Sequence, residues 1–86
     1  MDSKLRIFTA GNVFVPAYLA LKQKGFTVWE EGTAERETWY AEDATRLFIA
    51  EDPLSLLGLV AMHETRGDDW MAEDEEIDAF MAEFGW

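Results

Sequence analysis

The run DPLSLLGLVAMHETRG, residues 52–67, constrains the fold more than any other stretch of the chain. Asp52 is a suitable N-cap, Pro53 suits the first helical position, and Gly67 suits the position just past the last turn. Between these signals Leu54, Leu57 and Ala61 make one stripe, which Leu56, Leu59, Val60 and Met62 widen well beyond a single face. A helix this apolar must pack on more than one side, so the rest of the chain has to supply its cover. Gly58 costs about 1 kcal/mol relative to alanine in mid-helix. It reads either as a site of close packing against a sheet or as incidental.

The cover is read from periodicity. LRIFT, residues 5–9, has the character of a short strand, with Leu5, Ile7 and Phe8 as its apolar surface. VFVPAYLALKQK is helical up to Gly25. Its regular part is expected from Pro16 after a looser turn, in preference to a helix from Val13 capped by Asn12. Tyr18, Leu19 and Leu21 then face other structure, and Lys22, Gln23 and Lys24 face water. In GFTVWEEG, Phe26 and Val28 alternate with Thr27 and Trp29, which predicts a strand. Strand, helix and strand in this order suggest a right-handed βαβ unit with parallel strands. ETWYA and RLFIA flank a polar turn at residues 42–45 and predict an antiparallel hairpin, without the usual Asn-Gly signature.

The final segment, AEDEEIDAFMAEF, sets Ile77, Phe80, Met81 and Phe84 at i, i+3, i+4 and i+7, an amphipathic helix. Glu73, Asp74, Glu75 and Glu76 gather where the helix dipole favours negative charge. The apolar stripe is expected to pack on the sheet or the central helix. The predicted fold class is α+β: a small mixed four-stranded sheet packed with three helices, in the order β-α-β-β-β-α-α, forming a single compact acidic domain over residues 1–86.

A chain of 86 residues buries only a little over 60% of its unfolded surface, roughly, so aromatic side chains carry much of the core. At 49% hydrophobic it lies outside the disordered class despite its charge. Eighteen acidic residues against seven basic ones give a net charge of −11. That balance argues against direct nucleic-acid binding and against anionic membranes, and it favours a protein partner with a basic surface. The same excess of carboxylates also serves plain solubility. With no cysteine, disulfides, thiolate chemistry and cysteine-based metal centres are excluded. No apolar run approaches the ~20 residues that span a bilayer. MDSKLRIF lacks the long apolar core of a signal peptide, so a cytoplasmic location is expected.

HETRGDDWMAEDEE, residues 63–76, concentrates the tempting motifs. A zincin pair needs a second histidine one turn after the first, but Gly67 stands there and His63 is the chain's one histidine. A mixed site from His63 with Asp68 or Asp69 is conceivable, but no spacing singles it out. An EF-hand loop from Asp68 fails, because its third residue is Trp70 and its sixth is Glu73. Arg-Gly-Asp at residues 66–68 is explained more economically as a helix end and chain reversal. Thr9, Ala10, Gly11 and Asn12 lack the glycine spacing of a phosphate cradle and read as a turn. The many glutamates form no recognisable acid–base pair, and no Ser-His-Asp set can be assembled. Neither a metal nor a cofactor is expected.

Tryptophan and tyrosine interleaved with acids stand above this background. Trp29, Trp39 and Tyr40 lie among Glu30, Glu31, Glu35 and Glu37, and Trp70 lies among Asp68, Asp69 and Glu73. Interface anchors favour Trp and Tyr, while carboxylates steer a basic partner. The plainer reading makes the strand aromatics core and the acids its wet edge. The expected function is a noncatalytic acidic protein-interaction domain, of the kind that inhibits or confers immunity to a basic enzyme such as a nuclease. Two alternatives are a small ligand-binding protein or enzyme with a pocket between sheet and helix, and a structural subunit of a homo-oligomer.

Overall fold

The computed structural model describes residues 3–10, 12–33 and 35–86. It is an α+β fold with three helices and a three-stranded antiparallel sheet. In chain order the elements are α1 (Phe14–Gln23), β1 (Thr27–Thr33), β2 (Arg36–Glu42), β3 (Leu47–Ala50), α2 (Pro53–Arg66), a 3-10 turn (Gly67–Asp69) and α3 (Asp74–Phe84). The sheet is a meander, β1-β2-β3, with Trp29 opposite Tyr40 and Ala41 opposite Phe48. Gly32 is obligatory in the first hairpin. Its φ is +137°, and a Cβ there would collide with the Arg36 carbonyl oxygen. The second hairpin turns where the sequence predicts. The Asp43 carboxylate accepts from the backbone N–H groups of Thr45 (3.0 Å) and Arg46 (2.8 Å), doing the work of the missing Asn-Gly.

The expected fourth strand is not formed. Residues 5–9 join no ladder, and Leu5, Ile7 and Phe8 stay exposed. The β1-β2-β3 pairings close over short turns, whereas a parallel partner has to be reached across a whole helix. Gly11, in the expected turn at residues 9–12, lies outside the described residues. Helix α1 starts at Phe14, between the two predicted starts, with Pro16 inside the first turn where its missing N–H costs nothing. The Asn12 side chain accepts from Val15 N–H at 3.4 Å. Ala17 and Leu21, one turn apart, are the residues α1 buries, so Leu19 faces outward instead of inward.

Both α1 and α2 pack on one side of the sheet. The core joins Leu21 of α1, Phe26, Ala41 of β2, and Leu56 and Val60 of α2, with Val28, Trp39, Phe48, Ala50 and Leu57 closing around it. Phe26 meets Phe48 edge-on at 5.9 Å. The buried stripe of α2 runs through Pro53, Leu56 and Val60 with Leu57 alongside. The phase differs from the predicted one, and Ala61 is exposed. The ends of α2 are as predicted: Asp52 Oδ1 accepts from Ser55 N–H at 2.7 Å, and Gly67 takes φ +75°.

Gly58 faces open space, with nothing within 4 Å of a Cβ built on it and a φ outside the left-handed region. The close-packing reading of this glycine is therefore dropped. Gly58→Ala is expected to stabilise the domain by about 0.8–1 kcal/mol, the helix-propensity difference. A thermal melt checks this, and a lower midpoint would show that the site is crowded after all.

Helix α3 departs furthest from expectation. It is capped at both ends, by a reciprocal Glu73–Glu76 capping box and by Gly85 in the left-handed region. Yet none of its residues is buried, and among the described residues it packs closely against no other element. The radius of gyration, 15.8 Å, exceeds the roughly 12 Å of a close-packed chain of this length. Among the described residues no helix is long and apolar enough to cross a membrane.

Candidate functional site

Strand alternation divides the predicted aromatic and acidic residues between the two faces of the sheet. Trp29, Glu31 and Tyr40 belong to the outer face, which neither α1 nor α2 covers. Trp29 and Tyr40, directly paired, stack at 5.1 Å with 7° between their planes. Ile49 lies opposite Tyr40 on β3, and it is exposed together with Leu47. Glu30, Glu37 and Trp39 belong to the inner face. Trp39 is half-buried against the core, Glu30 and Glu37 are exposed, and Glu35 is exposed in the first hairpin loop. The strand residues predicted as one surface are therefore two surfaces, back to back.

The junction residues form a third group. Asp68, Asp69, Trp70 and Glu73 are all exposed and line one open groove between α2 and α3. Trp70 itself is 39% exposed. It also borders a hollow of about 390 Å3 beside β3 and α2, and another of about 500 Å3 on α3. Arg66 ties the junction down, donating from Nε to the Trp70 carbonyl at 2.9 Å and pairing with Glu76 at 3.2 Å. Glu76 also accepts from the Glu73 backbone N–H, and these two bonds hold its carboxyl below the usual range.

Ile77, Phe80 and Met81, three of the four stripe residues expected to pack on the sheet or the central helix, line the hollow on α3 instead, and Phe84 lies beside Phe80. Ile77 is 42% exposed, Phe80 44%, Met81 42% and Phe84 59%. Phe80 contacts Phe84 and Trp86, each at a centroid distance of 4.9 Å, so these three rings form one aromatic cluster beside Ile77 and Met81. Arg66 also lines the hollow, paired there with Glu76, and beyond it the chain is acidic. Residues 67–86 contain Asp68, Asp69, Glu73, Asp74, Glu75, Glu76, Asp78 and Glu83, eight carboxylates, and no lysine or arginine. The i, i+3, i+4, i+7 spacing that revealed the helix was also the signal for this surface.

His63 belongs to a structural network. Arg46 lies over the rings of Phe26 and Phe48, at 5.1 and 5.6 Å, and grips Asp43 through two hydrogen bonds of 2.7 and 3.0 Å. It also donates to His63 Nδ1 at 3.4 Å, which leaves the Nε2–H of His63 to donate to Asp68 at 3.0 Å. Lys24 pairs with Glu64 at 2.9 Å. Among the described residues, no group of three or more His, Asp or Glu side chains is placed to hold a metal. The hydrogen bond from Arg46 holds the Asp43 carboxyl below its ordinary value, and that from Lys24 does the same for Glu64.

A lowered carboxylate contributes stability above its unfolded value, and that contribution is lost as the pH falls through the folded one. Asp43→Asn keeps an oxygen for the turn N–H groups and puts an NH2, which cannot accept, where Oδ2 takes the charge-assisted hydrogen bonds of Arg46. The variant is expected to melt below the wild type at neutral pH, with the gap closing once the pH drops below about 4. A gap that is independent of pH would assign the effect to turn geometry. The chain matches no protein-family model, no curated protein and no solved structure.

Proposed function

We propose that the chain is a noncatalytic protein-interaction domain whose partner is a protein with a basic surface, in the manner of an inhibitor or immunity-type protein that neutralises a basic enzyme such as a nuclease. The observation that carries this reading is α3: a capped helix whose whole apolar stripe is exposed, within residues 67–86, which hold eight carboxylates and no basic residue, while Arg66 at the edge is paired with Glu76. A contiguous aromatic patch with a charged rim marks an interaction surface. Anchors at i, i+3, i+4 and i+7 are those of a helix laid into an apolar groove. The rim selects the groove, because only a lysine- or arginine-lined one avoids like-charge repulsion. A second copy of this chain meets the same rim with its own carboxylates, and the two chains, at −11 each, repel. The outer sheet face, with the Trp29–Tyr40 stack, offers a second contact area.

Affinity capture from the native cell at low salt, repeated at high salt, tests the reading. The expected result is one basic protein held in defined stoichiometry and released as salt rises. A partner of acidic or neutral charge whose retention ignores salt, or a copurified metabolite with no protein, would sink it.

A further inference from the structure

A cleft of about 420 Å3 opens between the start of α1, the inner face of β2 and the β3–α2 connection. Three aromatic side chains line it, Phe14 and Tyr18 from α1 and Trp39 from β2. Three carboxylates line it too, Glu37, Glu51 and Asp52, and among the described residues no basic side chain does. Trp39 is fixed from behind by the core, so one wall is rigid, while Phe14 is half-exposed at the mouth.

The composition of the lining names the occupant. Aromatic faces are electron-rich and attract cations, and this fold already uses that attraction, with Lys22 Nζ 5.4 Å from the Tyr18 ring centre. The carboxylates add net negative charge. Against them stand the N-termini of α1 and α2, each equivalent to roughly half a positive charge. Asp52 is spent on one of these, capping α2 through Ser55. Glu37 and Glu51 remain and outweigh what is left, so the cleft repels anions and favours a cation with an apolar stem. Arginine suits it better than lysine, because a planar guanidinium stacks on aromatic rings while donating in a fork to carboxylates. We infer that this cleft receives an arginine side chain presented by the basic protein partner, with Phe14, Tyr18 and Trp39 holding its stem and guanidinium plane and Glu37 and Glu51 its charge. The inference rests on the proposed function for the identity of the partner, but not for the chemistry of the cleft.

The test is a two-dimensional NMR titration of the intact chain with Nα-acetylarginine amide, with the citrulline analogue as a neutral isostere of nearly the same shape. Saturable shifts are expected at the Trp39 indole N–H and at the Phe14 and Tyr18 amides, with markedly weaker binding of citrulline. Glu37→Gln and Glu51→Gln should each weaken arginine binding by roughly twofold to fivefold, the range of exposed ion pairs. Phe14→Ala should weaken it as well. All three side chains lie at the surface, and the same spectra report whether each variant is folded. Equal binding of citrulline, equal binding of Nα-acetyllysine amide, shifts confined to residues 68–86, or variants that bind like the wild type would each overturn the assignment. If the probe binds here while the chain captures no basic protein, the cleft stands and the proposed function falls. If a basic protein is captured and the cleft variants bind both it and the probe unchanged, the proposed function stands and the cleft falls.

Discussion

Leu56→Ala should lower the melting midpoint by about 10–40 °C, while Leu19→Ala, an identical change of side chain, should barely move it. Leu56 is fully buried where α2 meets Leu21, Phe26 and Ala41, and Leu19 is 55% exposed on α1. Truncating a buried leucine costs about 2–5 kcal/mol, from lost transfer energy and the cavity left behind. A domain of this length holds roughly 4–13 kcal/mol in total. Each kcal/mol is worth about 4–8 °C in a domain this small. An exposed substitution away from caps and networks stays within about 0.5 kcal/mol. Equal shifts for the two variants would mean that α1 presents its other face to the core.

Leu19 also shows where sequence reading stops. The ends of α2 and the β2–β3 turn were legible because they are set by chemistry within a few residues: the Asp52 cap, Pro53 at the first position, Gly67 past the end, and Asp43 folding back on Thr45 and Arg46. The phase of α1 and α2 was not legible in the same way. Both helices carry more apolar residues than one face can hold, so the pattern allows several stripes and tertiary packing picks one. Residues 5–9 failed for a related reason. Alternation shows that a segment can be a strand, but not that a sheet edge is there to receive it.

The strand aromatics were legible as strand residues, but not by the face each one joins. Trp39 and Tyr40 are neighbours in sequence, and period-two alternation alone sends them to opposite faces. Grouping them by proximity in sequence merged an outer stack with an inner cleft. Phe14 and Tyr18 carried no sequence signal linking them to Trp39, because that link is made by α1 folding back along the sheet. For α3 the apolar stripe was read correctly and its cover was not. An amphipathic helix states that one face avoids water, without stating which molecule shields it.

Replacing Ile77, Phe80, Met81 and Phe84 together by alanine should therefore weaken the partner complex by more than about a hundredfold, since even one or two central anchors are worth 2 kcal/mol or more each. Alanine is the best helix former, so α3 itself is retained. The melting midpoint of the free domain should move by no more than about 8–16 °C, four surface changes of about 0.5 kcal/mol each at about 4–8 °C per kcal/mol. This is the reverse of what a core helix would do, where losing four large apolar groups costs several kcal/mol at about 1.5–3 kcal/mol apiece. Charge changes on the rim should act differently. Glu73→Gln, Glu75→Gln and Asp78→Asn should mainly slow association and flatten its salt dependence.

Amide hydrogen exchange, followed on the free chain and on its complex, reads the cover of α3 residue by residue. An eleven-residue helix with no tertiary packing is marginal in water and opens locally at little cost. The amides of residues 77–84 are therefore expected to exchange quickly in the free chain, while those of Leu56 and Val60 exchange only with global unfolding, and to gain strong protection when the basic partner binds. Protection of residues 77–84 equal to that of Leu56 in the free chain, or no gain in the complex, would contradict the account.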